Sequence, residues 1–306
     1  MAVSIVPPGR LAYGMQLQIQ SQSRIYAEPW EADAGAEELA AIARKADETG
    51  FFYIAVCDHV TIPPPLEQKM GDVWYDTVAT LGWLAGITER VRLLSHVYVV
   101  AYRHPLMTAK AFATLDEVSG GRVILGVGAG HVEPEFDRLG VDFENRGKAT
   151  DEAVDAIRAV FTGEDADAGI GPRPRQEPIP IWIGGSSKPA LRRAAARGDG
   201  WLPQGTPKKD MPESIAYLRE HRQEALGDAP IDIGAITGVY YVGEPGWDVG
   251  SWTVAGSGDR IADDLRSWAD LGVDHVQIRF RNRSADELLD QMDAFAAEVA
   301  PLLESA

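Results

Sequence analysis

Strand-like and helix-like segments alternate along the whole 306-residue chain, and that alternation constrains the fold more than any single motif. Tyr13 to Ile19 alternates polar and apolar residues as a half-buried strand does. Gly35 to Thr49 places Leu39, Ile42, Ala43 and Ala46 on one helical face, with Gly50 just past the end. The same two patterns recur. Strands are read at Phe51 to Val56, Val91 to Val100, Arg122 to Val127, Ile179 to Ile183, Gly200 to Pro203, Ile231 to Val242 and Val273 to Phe280. Helices are read at Trp74 to Thr88, from Pro105 onward, and at Asn145 to Phe161, Lys188 to Arg197, Pro212 to Leu226, Ser257 to Asp270 and Ala285 to Leu303. Pro105 sits at a first turn, where a missing N–H costs nothing. The stretch TIPPPLEQKMGD, with three consecutive prolines, reads as an irregular rim loop. Eight β-then-α units point to a parallel sheet covered by helices. Eight in this length fit a single α/β domain, residues 1–306, closed as a (β/α)8 barrel; an open doubly wound sheet is the alternative.

Within that frame the stretch Gly120 to Gly130, GGRVILGVGAG, stands out. A short β-branched run leads into Gly126, Gly128 and Gly130. Alternate glycines at a buried strand end leave main chain bare for a flat or phosphorylated ligand. They serve equally to bend a strand or to let another element pack close.

A barrel builds its active site just past the strand C-termini. Those positions are readable in order. Cys57, Asp58 and His59 follow the second strand. Ser95 and His96 lie late in the third. Ala129, Gly130, His131 and Glu133 follow the fourth. Gly184, Gly185, Ser186 and Ser187 follow the fifth, and Ala255 to Asp259 follow the seventh. His59 beside Asp58 is a candidate general acid/base, because an imidazole titrates near neutrality and a carboxylate can tune it. Cys57 reads as a small buried hydrophobe, since Asp58 opposes a thiolate. Gly184-Gly185-Ser186 opens a helix and forms a candidate anion site; the Gly256-Ser257 turn makes the same claim. A serine N-cap explains either turn as well.

Composition removes other classes. The net charge of −17 argues against nucleic-acid partners. One cysteine excludes a disulfide framework, and six histidines without ligand spacing give no metal site. No apolar run approaches the ~20 residues of a membrane span, and the N-terminus has no secretory pattern, so the expected location is cytoplasmic.

Five passages together carry a resemblance. They are FFYIAVCDHV (from Phe51), HPLMTAKAFATL (from His104), GRVILGVGAG with the downstream EFDRLGVDFENRG, Ile179 to Gly185 with ARGDGWLP, and VAGS with the C-terminal IRFRNRS. In that order they resemble the luciferase-like monooxygenase superfamily and, within it, the branch that uses the deazaflavin coenzyme F420. The resemblance spans nearly the whole chain. It implies an eight-stranded barrel with the cofactor at the strand C-termini and a hydride moved between the deazaflavin ring and a small organic substrate. It implies His59 as proton donor or acceptor, and Asp58, Ser95, His96, Ala129, Gly130, His131, Gly184, Gly185 and Ser186 around the cofactor. It places a non-proline cis peptide between Ser95 and His96. It also implies a homodimer, as relatives often are. Cys57 stands where the family has serine, and His131 where some relatives have an acidic residue. The alternatives are an FMN-dependent monooxygenase and a barrel that binds the deazaflavin without turnover. Arg103, Lys188 and Arg192 are the candidates to offset the acidic surface near an anionic cofactor tail.

Overall fold

All eight strands read from the sequence are present, and they close on themselves. In the computed structural model, residues 2–24 and 26–303 are described. The strands are β1 (Ala12–Gln16), β2 (Tyr53–Val56), β3 (Arg92–Ser95), β4 (Tyr98–Val99), β5 (Val123–Gly128), β6 (Ile181–Gly184), β7 (Gly200–Leu202), β8 (Asp232–Val242), β9 (Thr253–Gly256) and β10 (His275–Phe280). All pair in parallel in the order β1-β2-β3-β5-β6-β7-β8, and β10 joins β8 back to β1. The result is a closed eight-stranded α/β barrel wrapped by helices. Two strands lie off that circuit. β4 resumes the third strand after a break and pairs with β5, and β9 pairs with the long upper half of β8.

Strand alternation divides the apolar residues into two layers. Tyr13, Met15, Ile54, Val56, Leu125, Ile181 and Ile278 face out to the helices. Ala12, Tyr53, Ala55, Leu94, Ile124, Trp182 and Leu202 face the lumen. Three lumen rings each lie across a glycine on the neighbouring strand. Tyr53 is in register with Gly14, Trp182 with Gly200 and His275 with Gly234. A Cβ on any of these glycines would come within 2.4–2.5 Å of the facing ring. Large and small residues thus alternate around the lumen at these positions, which lets the rings fit a narrow barrel. Trp182 and His275 stack with centroids 4.1 Å apart.

The segment before β1 closes the opposite end. Val3 N–H donates to Asp199 Oδ1 (3.0 Å), Ser4 Oγ donates to Asp232 Oδ1 (2.6 Å), and Ile5 N–H donates to Asp232 Oδ2 (3.0 Å). Burial pushes the Asp232 carboxyl up to about 6, with Asp274 adding to the rise against the hydrogen bonds from Ser4 and Ile5. A carboxyl whose folded pKa is raised favours the fold fully below its unfolded pKa. That advantage is lost as pH rises through about 6. A rise of this size corresponds to about 3 kcal/mol. Asp232→Asn is therefore expected to stabilise the protein by about 2 kcal/mol at pH 8 and by almost nothing at pH 4. Urea denaturation at both pH values checks this; an equal effect at the two would contradict it.

Helix boundaries follow their caps. Ser187 and Ser257 cap Lys188–Arg197 and Gly258–Ala269 by accepting from Ala190 N–H and Arg260 N–H. The proline-rich stretch is corrected. Pro64–Met70 is a helix, with Pro63 at the N-cap and Pro64 and Pro65 in the first turn, where no N–H is needed. A second short helix, Glu133–Leu139, follows β5 and was not read from the sequence. No helix among the described residues is long and apolar enough to cross a membrane.

Candidate active site

The C-terminal ends of β2, β3 and β5 bring the candidate residues to one mouth of the barrel. Asp58 and His59 leave β2 together but do not pair, because neighbours on an extended segment project to opposite sides. Asp58 turns beneath the rim. Its two oxygens accept from the Arg103 guanidinium at 2.6 and 2.8 Å, and Oδ2 also accepts Val99 N–H at 2.8 Å. Arg103 lies over the Tyr98 ring. Asp58 thus ties the resumed strand β4 to β2, and Arg103 is already paired rather than free for an anionic tail.

The carboxylate that meets His59 is Glu135. His59 Nδ1 lies 2.9 Å from Glu135 Oε2. Tyr102 hydroxyl donates to the same oxygen at 2.9 Å. Val60 and Thr61 N–H donate to Oε1 at 2.6 and 3.1 Å. Burial alone would raise the Glu135 carboxyl, but His59, Thr61 and Tyr102 together hold it below the usual range, so it stays ionised. A carboxylate on Nδ1 fixes the proton there and makes Nε2 the nitrogen that gains or loses a proton. Trp74 packs edge-on against the imidazole with centroids 4.5 Å apart, and the exposed His131 ring is 5.9 Å away. Glu133, the acid read after the fourth strand, is exposed; Glu135 lies two residues on, inside the short helix. Pro134 in a first turn was the signal for that helix.

Ser95 is fully buried and serves the sheet: its hydroxyl donates to Gly126 C=O (2.9 Å) and accepts Gly126 N–H (3.0 Å). The non-proline cis peptide is His96–Val97, one bond later than expected. Ser95 is still in register with Val56, and His96 N–H still donates to Val56 C=O, so the strand geometry runs through His96 and breaks only after it.

Val97 then enters the barrel. A Cβ on Gly128 or Gly184 would lie 2.3 or 2.5 Å from its methyl groups. On Gly126 a Cβ would meet Ser95 C=O at 1.9 Å, and on Gly130 it would meet Phe136 and Val99. The alternate glycines therefore admit the broken third strand and the helix behind it. Ala129 stands half-buried beside Gly130 at the same rim. Gly185 N–H donates to Leu202 C=O, and its own C=O accepts Trp201 Nε1–H. Ser186 hydroxyl exchanges hydrogen bonds with Gln204 main chain at 2.8 Å each and accepts Thr206 hydroxyl. That arrangement holds the Gln204 side chain, whose Nε2 lies 2.9 Å from His96 Nε2.

Burial lowers His96 to about 4, so the ring is neutral at pH 7, and pushes the Cys57 thiol up to about 12, which leaves it protonated. Trp30, Trp74, Trp247 and Trp252, four of the eight tryptophans, are dispersed and line no single pocket. Trp74 meets His59, Trp30 donates to Asn282, Trp247 donates to Glu287 and Trp252 is 91% exposed. Lys188 lies over the Tyr217 ring, and Arg192 donates to its hydroxyl.

A family model described as luciferase-like monooxygenase matches residues 12–246, most of the barrel. The chain belongs to that family. A protein of Mycobacterium tuberculosis of uncharacterized function is 30% identical over 285 residues, covering 85% of this chain and 93% of that one. Two solved structures share the fold of this luciferase-like chain. The monooxygenase RslO1 from Streptomyces bottropensis has a TM-score of 0.77 at 21% identity, covering 97% of this chain and all of that one. An F420-dependent secondary alcohol dehydrogenase, in complex with an F420–acetone adduct, has a TM-score of 0.76 at 17% identity, covering 96% and 99%. As a luciferase-like protein this chain has an oxidoreductase fold, and its Glu135 joins the loops after β2 and β5 at the mouth.

Proposed function

We propose that this protein is a coenzyme F420-dependent oxidoreductase that moves a hydride between the deazaflavin ring and a small organic substrate. The observation that carries the proposal is the His59–Glu135 pair at the barrel mouth. A substrate that gives up a hydride must also lose a proton, and one that accepts a hydride must gain one. His59 Nε2 is the atom for that exchange. Glu135 keeps Nδ1 protonated and stabilises the imidazolium when Nε2 is loaded. Tyr102 and the two main-chain N–H groups keep Glu135 in place, and Trp74 shields the ring from water on one side.

The residues present fit a flat neutral ring. Gln18, His96 and Gln277 carry buried hydrogen-bonding atoms with no protein partner. When bound, the deazaflavin supplies a ring carbon that passes hydride and reacts poorly with oxygen.

An FMN-dependent monooxygenase is the second reading, favoured by the likeness to RslO1. Fluorescence titration of the apoprotein with both cofactors in one buffer separates the two. The deazaflavin is expected to bind at least tenfold more tightly, a gap of about 1.4 kcal/mol. Tighter FMN binding with substrate-dependent oxygen uptake would move the protein to the monooxygenase reading.

A further inference from the structure

Three inward-facing side chains, besides Tyr53, Trp182 and His275, carry buried polar atoms without partners. Gln18, His96 and Gln277 are 5%, 5% and 7% exposed. Both amide atoms of Gln18, Nδ1 of His96 and Oε1 of Gln277 have no hydrogen-bond partner in the protein. Their direction follows from their neighbours. Leu17 and Ile19 lie in the outer layer, as do Val276 and Ile278, so Gln18 and Gln277 face the lumen; His96 follows the inner Leu94 at the strand period. Leu17 N–H donates to Ala55 C=O and His96 N–H to Val56 C=O, so the ladder continues past the ends of β1 and β3. Gln18 and His96 therefore flank the exit of β2. Ile19, at φ 72°, closes a tight turn in which Gln20 N–H donates to Gln18 C=O at 2.8 Å, and its own N–H is held by buried Glu31.

The unmet groups have a definite chemistry. The Gln204 amide on His96 Nε2 leaves the neutral ring with its proton on Nδ1, a donor. Gln18 offers a donor and an acceptor, and Gln277 an acceptor. None is charged. Each such group left unpaired in a dry site is costly, and an ion would find no counter-charge among them. A neutral ring edge that presents both carbonyls and an N–H meets the two donors and one of the two acceptors.

We propose that Gln18, His96 and Gln277 bind the –CO–NH–CO– edge of a planar heterocycle. The proposal rests on the cofactor reading only in that such a ring binds, since FMN and the deazaflavin share this edge.

The test is fluorescence titration of wild-type apoprotein, Gln18→Leu and Gln277→Leu with the deazaflavin, FMN and FMN methylated on the imide nitrogen. Wild type is expected to bind the methylated compound about tenfold more weakly than FMN. Each variant is expected to lose about tenfold in affinity for the parent cofactors and most of the discrimination against the methyl group. Thermal denaturation separates this from a structural role: removing an unpaired buried amide should hold or raise Tm. Unchanged affinity and discrimination in both variants would mean that ordered water alone meets these groups, which overturns the proposal. Tighter binding of FMN than of the deazaflavin by wild type would overturn the cofactor reading alone. No binding of either by wild type would overturn both.

Discussion

His59→Ala is expected to lower turnover by ~10²–10⁴-fold while cofactor affinity stays nearly constant. The ring stands beside the mouth rather than in the lumen, anchored through Nδ1 to Glu135, so its loss removes a proton route without removing a floor for the cofactor. Glu135→Gln makes the sharper variant. One amide oxygen can still accept from Val60 and Thr61, which preserves the loop. The amide nitrogen, however, then faces His59 Nδ1 as a donor and forces the ring proton onto Nε2. A base with its proton on the wrong nitrogen cannot accept another while neutral. Turnover of Glu135→Gln should fall toward that of His59→Ala, with a changed pH profile and unchanged cofactor binding. Full activity of His59→Ala on the true substrate would return His59 to a structural role.

Gly126→Ala is expected to cost about 3 kcal/mol or more in stability. Its Cβ would lie 1.9 Å from Ser95 C=O and 3.0 Å from Leu94 Cδ1. The carbonyl has nowhere to go, because the Ser95 hydroxyl bonds Gly126 on both sides and β3 is laddered to β2 and β5. Gly82, inside the helix Thr77–Ala85 with nothing within 4 Å of its Cβ position, is the control. Gly82→Ala should stabilise by about 0.5–1 kcal/mol, since alanine removes backbone freedom from the unfolded chain. Urea midpoints for the two variants check both signs. A loss below about 1 kcal/mol at Gly126 would show that the third strand can shift after all.

Local pattern made much of this legible. The eight barrel strands show as short apolar or alternating runs, because each has one face on the helices and one in the lumen. The helix Lys188–Arg197 begins and ends where its serine cap and following glycine place it. The misses are of two kinds. Pro63 to Pro65 look like a barrier to regular structure, yet the first turn of a helix is the place that tolerates them. β9 has no strand-like pattern of its own: its first three residues are only half-buried, and it is ordered by the overhang of β8.

The sequence by itself determined the barrel and marked His59, just past the end of a strand, as the candidate for proton exchange, since both follow from periodicity and residue type near one position. Only the tertiary structure decided which carboxylate serves His59. Asp58 is adjacent in sequence but turned away to Arg103. Glu135 is 76 residues distant and arrives because barrel closure sets the loops after β2 and β5 side by side. It likewise decided what fills the space over Gly126, Gly128 and Gly184. A glycine records only that something comes close, and the neighbouring strand supplies Ser95 C=O and Val97.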